Sequence, residues 1–221
     1  MAIARDTYKA RTTQPSSAAS YTFAYTCTGS DRAVVLYIEH AAATIDTATY
    51  AGVSMTKIHD AVTAYGTTKL SSFILINPAS GSNNFVVDPT GSDQLVVMVE
   101  SYTGAGTGGG TGGSDSSQTA TFATSAANQS IVTTTSADNC WITFFFRANG
   151  GSYTAGTNVS IQDNVASIAL VGDTNAAITP AGATTQTFNR STGTNSGGII
   201  TIALAPAGAA RSFIPRVSFI M

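Results

Sequence analysis

Charged side chains are scarce in this chain of 221 residues, of which they make up only 10%. Lysine, glutamate and leucine, which normally fill helices, are few, whereas serine and threonine are abundant. This composition favours strands and loops, and no stretch keeps a helical period. Low charge with a mean hydropathy of +0.14 indicates a protein that contacts partners over much of its surface, although β-rich sandwiches in general have a similar composition.

Cysteines and long apolar runs are also sparse. The two cysteines are Cys27 and Cys140, and no apolar segment typical of a signal peptide follows Met1. We therefore expect synthesis in the cytoplasm and buried free thiols. The longest apolar stretches, 141–146 and 199–210, are well short of the ~20 residues that span a bilayer, so we expect no membrane contact.

Basic residues are concentrated at the two ends of the chain. Segments 1–16 and 208–221 carry a balance of +4, which leaves −6 for the rest. An acidic body argues against nucleic-acid binding, which needs a basic face. We interpret residues 1–17 as a polar arm that a partner must order, although chain ends are often charged without such a role. The basic residues assigned to partner binding are Arg5, Lys9, Arg11, Arg211 and Arg216.

The stretch 70–102 organises the rest of the chain. It contains three apolar runs rich in β-formers, at 73–76, 85–87 and 95–99, separated by short segments with turn chemistry around Pro78 and Pro89. Consecutive strands joined by short turns predict an antiparallel meander of hairpins.

Further short β segments continue along the chain, with a turn signal about every 8–12 residues. The sequence therefore predicts a single all-β domain, an antiparallel β-sandwich of jelly-roll type over residues 18–207, with extended N- and C-terminal arms. The Gly-rich segment 104–117 has no anchoring side chains and predicts a mobile surface loop or a linker within the domain. No fixed-period repeat is apparent.

Four segments, taken in order, carry a resemblance: RAVVLYIEH (32–40), TYAGVSMTKI (49–58), FILINPASG (73–81) and TFNRSTGTNSGGIITIALAPA (187–207). Their order resembles jelly-roll-like β-sandwich accessory virion proteins of tailed bacteriophages, of the capsid-decoration, head-fibre or tail-tip type. The resemblance covers about residues 18–207 and rests on hairpin and turn motifs, with no catalytic signature. Segments 104–117 and 208–221 lie outside the resemblance, which therefore implies no role for them.

Residues in patterns that support catalysis or metal binding are few. Glu39 and His40 are neighbours, as are His59 and Asp60, but adjacent strand residues point to opposite faces and cannot serve one site. Serines are abundant, yet no G-x-S-x-G turn occurs. We expect no enzymatic activity, no cofactor and no metal ligand; a structural calcium ion is left unassigned. A hydrolase whose site the sequence does not reveal is kept as a third hypothesis.

Aromatic residues beside glycine-rich loops are candidates for contact with sugars. Tyr102 and Tyr153 have this position, where an exposed ring could stack on a glycan, although ordinary loop packing accounts for them as well. Trp141 lies within the apolar run WITFFF and is predicted to be a core residue.

The C-terminal segment ends on large apolar side chains. Leaving them in water costs roughly 1.5–3 kcal/mol for each that could be buried. The segment therefore either forms a last strand of this domain or adds to a neighbouring subunit or capsid protein, with Arg211 and Arg216 as charge anchors. Pro215 favours an edge or intermolecular position. Its apolar contact candidates are Phe213, Ile214 and Phe219.

Together with these observations, the resemblance implies a non-enzymatic capsid decoration (cement) protein on the surface of a phage virion, synthesised in the host cytoplasm. Its partner would be the major capsid protein, it would be a homo-oligomer (trimer or dimer), and it would bind neither nucleic acid nor membrane. The alternative is a receptor-binding or fibre-tip module that recognises cell-surface glycans.

Overall fold

The computed structural model of the chain describes residues 2–14, 16–41, 44–165 and 169–208. Within these ranges the chain forms eighteen β-strands and one short 3-10 turn, Thr111–Gly113. All strand pairs are antiparallel, and the strands build four sheets that divide between two lobes. The predicted class, an all-β antiparallel sandwich, is confirmed.

The first lobe, here called the N lobe, covers residues 4–103. Its strands are β1 (Ala4–Thr13), β2 (Tyr21–Cys27), β3 (Ala33–His40), β4 (Ile45–Tyr50), β5 (Val53–Ser54), β6 (Thr56–Tyr65), β7 (Thr68–Ile76), β8 (Gly81–Pro89) and β9 (Val96–Thr103). One sheet, which faces the other lobe and is called inner, has the order β1-β9-β3-β7-β6. The outer sheet has the order β2-β8-β4-β5.

The second lobe, the C lobe, covers residues 105–206. Its strands are β10 (Ala105–Gly106), β11 (Ser116–Ser125), β12 (Gln129–Thr134), β13 (Trp141–Ala148), β14 (Ser152–Ala155), β15 (Ser160–Val165), β16 (Ala169–Asp173), β17 (Ala183–Thr192) and β18 (Asn195–Pro206). Its inner sheet has the order β10-β18-β13-β16-β15, with β11 also paired to β18, and its outer sheet has the order β12-β17-β14.

The two lobes repeat the same chain path. Strands β1, β9, β3, β7 and β6 of the first inner sheet correspond to β11, β18, β13, β16 and β15 of the second. In the outer sheets, β2, β8 and β4 correspond to β12, β17 and β14. This alternation between two sheets is that of a jelly roll. The sequence predicts one jelly roll over residues 18–207; the structure has two, because strand order is repeated and residue identity is not.

Three strands lie in the stretch 70–102 as predicted, but their pairing is different. Strand β7 pairs with β3 and β6, β8 pairs with β2 and β4, and β9 pairs with β1 and β3. Consecutive strands therefore alternate between the inner and the outer sheet. The predicted meander is wrong, because the turns here carry the chain across the sandwich instead of joining neighbours in one sheet.

Apolar side chains fill three layers between the four sheets. Each lobe has its own aromatic core between its two sheets. The main members are Phe23, Tyr25, Tyr50 and Phe85 in the N lobe, and Phe144, Phe146, Tyr153 and Phe188 in the C lobe.

The third layer lies between the two inner sheets, and we call it the seam. Its members include Val35, Tyr37, Met98, Trp141, Phe145, Ile200 and Ile202. Inner strands are thus covered on both faces, so every residue of β3 and all of β13 except Arg147 are buried. This double burial is why both segments read as continuous apolar runs.

The N-terminal segment is part of the fold. Strand β1 pairs with β9 from Ala4–Thr103 to Thr13–Val96, with two register shifts on the way. The prediction of an arm that a partner must order is therefore wrong for residues 4–13. Backbone hydrogen bonds to β9 hold a strand whose side chains are mostly polar. The C-terminal arm lies outside the described residues beyond Gly208.

The Gly-rich segment 104–117 connects the lobes and lies against the N lobe. A Cβ atom at Gly112 would come within 2.8 Å of side-chain atoms of Ile74 and Thr56. One at Gly113 would come within 2.9 Å of Ile76. The segment is a packed linker and not an unanchored surface loop, because its missing side chains allow this close approach.

Candidate functional site

An ion pair in the seam joins the two lobes. Arg5 of β1 contacts Asp173 of β16 with both ends of its guanidinium group: Nε lies 2.8 Å from Oδ2 and Nη2 lies 2.5 Å from Oδ1. Asp173 is fully buried, and its Oδ1 also accepts a hydrogen bond of 2.8 Å from the backbone N–H of Asn175. Burial lowers the pKa of Arg5, but the hydrogen bond and charge of Asp173 outweigh it, so the net shift is upward.

A second acid, Glu100 of β9, lies beside this pair. Its Oε2 is 3.0 Å from the hydroxyl of Tyr102, which is also 3.1 Å from Asp173 Oδ2. The hydroxyl oxygen of Thr143 is hydrogen-bonded to the same Oε2, and Tyr37 donates to Thr143 Oγ1 at 3.2 Å. Burial, and then the charge of Asp173, raise the pKa of Glu100 from 4.5 to about 8.

The two tyrosines of this cluster keep their protons. Burial raises the pKa of Tyr37 and of Tyr102 well above 10, and the nearby carboxylates add to the shift. Both hydroxyls therefore act as hydrogen-bond donors in the seam over the whole physiological pH range.

A second charged group lies at another part of the seam. Glu39 of β3 contacts Arg147 of β13 with 3.0 Å between Oε1 and Nε, and Arg11 of β1 with 3.5 Å between Oε2 and Nη2. The Arg147 guanidinium lies 5.3 Å from the ring centre of Tyr65. The backbone N–H of Arg11 donates to Asp163 of β15 at 2.5 Å. Four strands from both lobes thus share one polar network.

Both histidines are buried and bonded to serines of β7. His40 Nε2 lies 2.9 Å from Ser71 Oγ, and His59 Nδ1 lies 2.7 Å from Ser72 Oγ. Burial lowers the pKa of His59 to about 4, so it is neutral at physiological pH. Among the described residues, no three His, Cys, Asp or Glu side chains converge as a metal site would require.

The cysteines are free and buried, as predicted. Burial, together with the charge of Asp115, raises the pKa of Cys140 to about 12, and burial also raises the pKa of Cys27. Both thiols are therefore protonated and unreactive at neutral pH.

The three N-terminal basic residues are partly exposed and make contacts within their own chain. Arg5 and Arg11 form the ion pairs described above, and the ammonium of Lys9 lies 5.7 Å from the ring centre of Phe23. Their assignment to a partner is corrected, because β1 is a paired strand of the inner sheet. The C-terminal candidates, Arg211, Phe213, Ile214, Arg216 and Phe219, lie outside the described residues.

The two candidate sugar-contacting tyrosines are fully buried. Tyr102 lies in the seam, and Tyr153 packs in the C-lobe core with its ring centre 4.7 Å from that of Phe146. Glycine-rich segments adjoin both tyrosines in the sequence, but each tyrosine occupies an inward-facing position of its strand. They cannot form a glycan platform. Trp141, with 9% of its surface exposed, is a core residue as predicted.

The outward faces of the two outer sheets present mainly small polar groups, together with two acids of the N lobe, Asp46 and Asp88. In the N lobe, exposed Thr26 lies opposite exposed Ser82, and Ala24 opposite Asn84. In the C lobe, exposed Ser130 lies opposite Thr187. The large apolar side chains exposed among the described residues are Tyr8, Val53 and Val132.

The sequence predictions do not include the seam cluster, although the sequence holds two signals for it. The cluster consists of Arg5, Tyr37, Glu100, Tyr102, Thr143 and Asp173. Glu100 stands in the strongly apolar run VVMVESY, and an acid in a buried strand is costly unless it is paired or protonated. Asp173 gives a similar signal after the run IALVG. The partner Arg5 carries none, because 168 residues separate it from Asp173.

In the part of the chain that the structure describes, no helix is long and apolar enough to cross a membrane. The chain was also compared with known proteins. It matches no protein-family model, no curated protein and no solved structure.

Proposed function

We propose that this protein is a non-enzymatic structural component of a tailed-phage virion, a decoration (cement) protein on the outside of the capsid. The supporting observation is that the ion pairs and the histidine–serine pairs lie inside the molecule, where they join strands or lobes. The ion pairs of Arg5, Arg11 and Arg147 and both histidine–serine pairs serve the contact between strands or lobes. The outer faces carry threonine, serine and asparagine.

This arrangement suits a building block better than a catalyst. Four stacked sheets with three filled apolar layers give a stiff body, because interiors packed in this way deform little. A sheet face with few charges makes contact over an area with little of the desolvation cost of buried ions. A body of this kind stabilises a shell by adding buried area across the junctions between capsid subunits.

The C-terminal segment 208–221 is the proposed anchor. It carries two arginines and several large apolar side chains, and its sequence suits addition as a strand to the edge of the major capsid protein or of another copy of this chain. Each apolar side chain buried there contributes roughly 1.5–3 kcal/mol. A dimer or trimer would multiply such contacts on one particle.

The test is binding of the purified protein to purified capsids that lack it. The full-length chain and a chain ending at Ala207 are compared, together with two full-length variants. One replaces Phe213, Ile214 and Phe219 by serine, and the other replaces Arg211 and Arg216 by glutamine. We expect the full-length chain to bind and to raise the melting temperature of the capsid, and the truncated and serine variants to do neither.

The glutamine variant separates the two parts of the proposed anchor. It should bind more weakly at high salt but keep its apolar contacts. A full-length chain that neither binds capsids nor changes their melting temperature would refute the proposal. Binding by the truncated chain would show that segment 208–221 is not the anchor, and the outer faces would then be the proposed contact surface.

A further inference from the structure

The seam cluster has fewer hydroxyl hydrogens than contacts that need them. Tyr102 touches both Glu100 and Asp173, and the hydroxyl of Thr143 touches Glu100 Oε2 and, at 3.2 Å, the carbonyl oxygen of Gly172. Each hydroxyl has one hydrogen, so two hydrogens serve four contacts. The hydrogen of Tyr37 is used on Thr143.

A proton on Glu100 resolves most of this shortage. Its carboxyl O–H can donate to the Thr143 oxygen, which frees the Thr143 hydrogen for Gly172 and leaves the Tyr102 hydrogen for Asp173. Three of the four contacts then hold a hydrogen, including the close contact between Thr143 and Glu100, and only the contact between Tyr102 and Glu100 does not. An ionised Glu100 has no such arrangement, because carboxylates only accept hydrogen bonds.

The charge balance leads to the same result. Arg5 is engaged by Asp173 through both of its contacting nitrogens, and no cation lies within ion-pair distance of Glu100 in the part of the chain that the structure describes. Glu100 is fully buried and its Oε1 has no hydrogen-bond partner there. A second negative charge at this point would be both uncompensated and poorly bonded.

The groups that face Glu100 come from every strand packed around it. They are Arg5 on β1, Tyr37 on β3, Tyr102 on its own strand β9, Thr143 on β13 and Asp173 on β16. The charge of Glu100 also contributes to the raised pKa of Tyr25 on β2. The hydrogen bonds from Thr143 and Tyr102 and the charge of Arg5 favour ionisation of Glu100, whereas burial and Asp173 oppose it, and the opposing effects are larger. Tyr37 and Tyr102 keep their protons, and the cation Arg5 is bonded to Asp173 and not to Glu100.

We propose that the seam is a proton-controlled junction: the two lobes are held together while Glu100 keeps its proton, and the seam loosens when Glu100 releases that proton to the solvent. This device is a property of the fold and does not depend on the proposed role on a capsid. The seam lies between two complete sandwiches, so the lobes can part while each keeps its own aromatic core.

The direction of the pH dependence follows from the pKa of Glu100. It is about 8 in the folded protein and 4.5 ordinarily, so the folded state holds a proton that the unfolded state has lost. Stability from this group is complete below about pH 4.5 and is lost as the pH rises through 8. Over that range the ratio of folded to unfolded protein falls about tenfold per pH unit through this group alone.

His59 contributes the opposite slope in part of this range. Burial lowers its pKa from 6.5 to about 4, so its stabilising effect is present above pH 6.5 and is lost as the pH falls toward 4. The two slopes cancel between about pH 4.5 and 6.5. The effect of Glu100 is therefore best measured above pH 6.5, or as the difference between the wild type and a variant that lacks it.

The chain has two features that make the test direct. Glu39 and Glu100 are its only glutamates, so carboxyl-¹³C glutamate labelling gives two signals in an NMR spectrum, which Glu39→Gln assigns. Trp141 is its only tryptophan, and it lies in the seam with its ring centre 6.4 Å from that of Tyr102. Its fluorescence thus reports on the opening of the seam.

We expect the Glu100 signal to titrate with a midpoint near pH 8, and the Trp141 emission to shift to the red over the same range while the far-ultraviolet circular dichroism keeps its β signature. In Glu100→Gln the red shift should be absent. The slope of the free energy of unfolding against pH, which gives the number of protons released or taken up on unfolding, should differ from that of the wild type by one proton. The control, Glu39→Gln, should keep the red shift.

Two outcomes would overturn the proposal. One is a Glu100 signal that titrates near its ordinary value of 4.5. The other is a Trp141 red shift that is the same in Glu100→Gln as in the wild type. If Glu100→Gln does not fold, the NMR titration of the wild type still decides the first point. Asp173→Asn then decides the second, since removing the neighbouring charge should move the midpoint of the red shift to lower pH.

Discussion

The N lobe and the C lobe share a strand order but differ in what they bring to the seam. Tyr37 and Phe145 are both the fifth residue of their strands, β3 and β13, and their ring centres lie 5.9 Å apart. Glu39 and Arg147 are both the seventh residue, and they form an ion pair. Corresponding positions thus meet each other, as they do across the twofold axis of a dimer.

The difference lies in the charges at these matched positions. At the seventh position the N lobe has Glu39 and the C lobe has Arg147. Two identical lobes would place like charges against each other there. The second ion pair, Arg5 with Asp173, joins β1 and β16, which are not corresponding strands. The two lobes therefore form a complementary pair on one chain. Corresponding strands build the two sides of the interface, but the charged residues on the two sides differ.

The largest effect should come from emptying either aromatic core. Phe85→Ala in the N lobe and Phe146→Ala in the C lobe each remove a fully buried ring and should lower the free energy of unfolding by about 3–5 kcal/mol. Because the seam couples the lobes, both variants should shift one common transition, followed by Trp141 fluorescence and by circular dichroism during denaturation.

Val132→Ala is the matched control, because half of Val132 is exposed and the change should cost little. Two separate transitions, with Phe85→Ala affecting one and Phe146→Ala the other, would show that the lobes unfold independently. The seam would then not couple the unfolding of the two lobes.

The ion pair between the lobes should give the next largest effect. Arg5→Met leaves Asp173 buried without its cation, and we expect a loss of about 3 kcal/mol in the free energy of unfolding. Lys9→Met, on the same strand, is the control and should cost less than about 1 kcal/mol. Adding Asp173→Asn to Arg5→Met should recover part of the loss, and a further loss in the double variant would contradict this account.

A charge exchange at the matched positions should give the smallest effect. Glu39→Arg places a third arginine between Arg11 and Arg147, and we expect a cost of about 2 kcal/mol measured by denaturation. Adding Arg147→Glu restores one opposite-charge pair but not the contact with Arg11, so the double variant should be more stable than Glu39→Arg alone. Strictly additive losses would mean that these positions do not interact.

Much of the fold class could be predicted from the sequence, because period-two alternation survives where one face of a strand is exposed. Strand β2 alternates buried and exposed residues from Phe23 to Cys27, and β12 does so throughout. The lobes could not be predicted in this way. Strands β3 and β13 are buried on both faces, so they carry no alternation that would tell the seam from a lobe core.

The seam cluster could be predicted only in part. An acid in an apolar strand marks Glu100, but which groups surround it depends on strands that are distant in the chain. The same limit explains the errors on Arg5 and Tyr102. A polar strand such as β1 looks like an arm until its backbone partner β9 is known, and a tyrosine beside glycines looks exposed until its strand register is known.

The packed linker 104–117 has a consequence for a seam that opens. Two lobes joined by so short a tether stay at a millimolar-range effective concentration with respect to each other. Closing after a rise and fall in pH is then a first-order event whose rate does not depend on how dilute the protein is. Each chain is also biased to rejoin its own lobe, so exchange of lobes between molecules is disfavoured even where many copies crowd together.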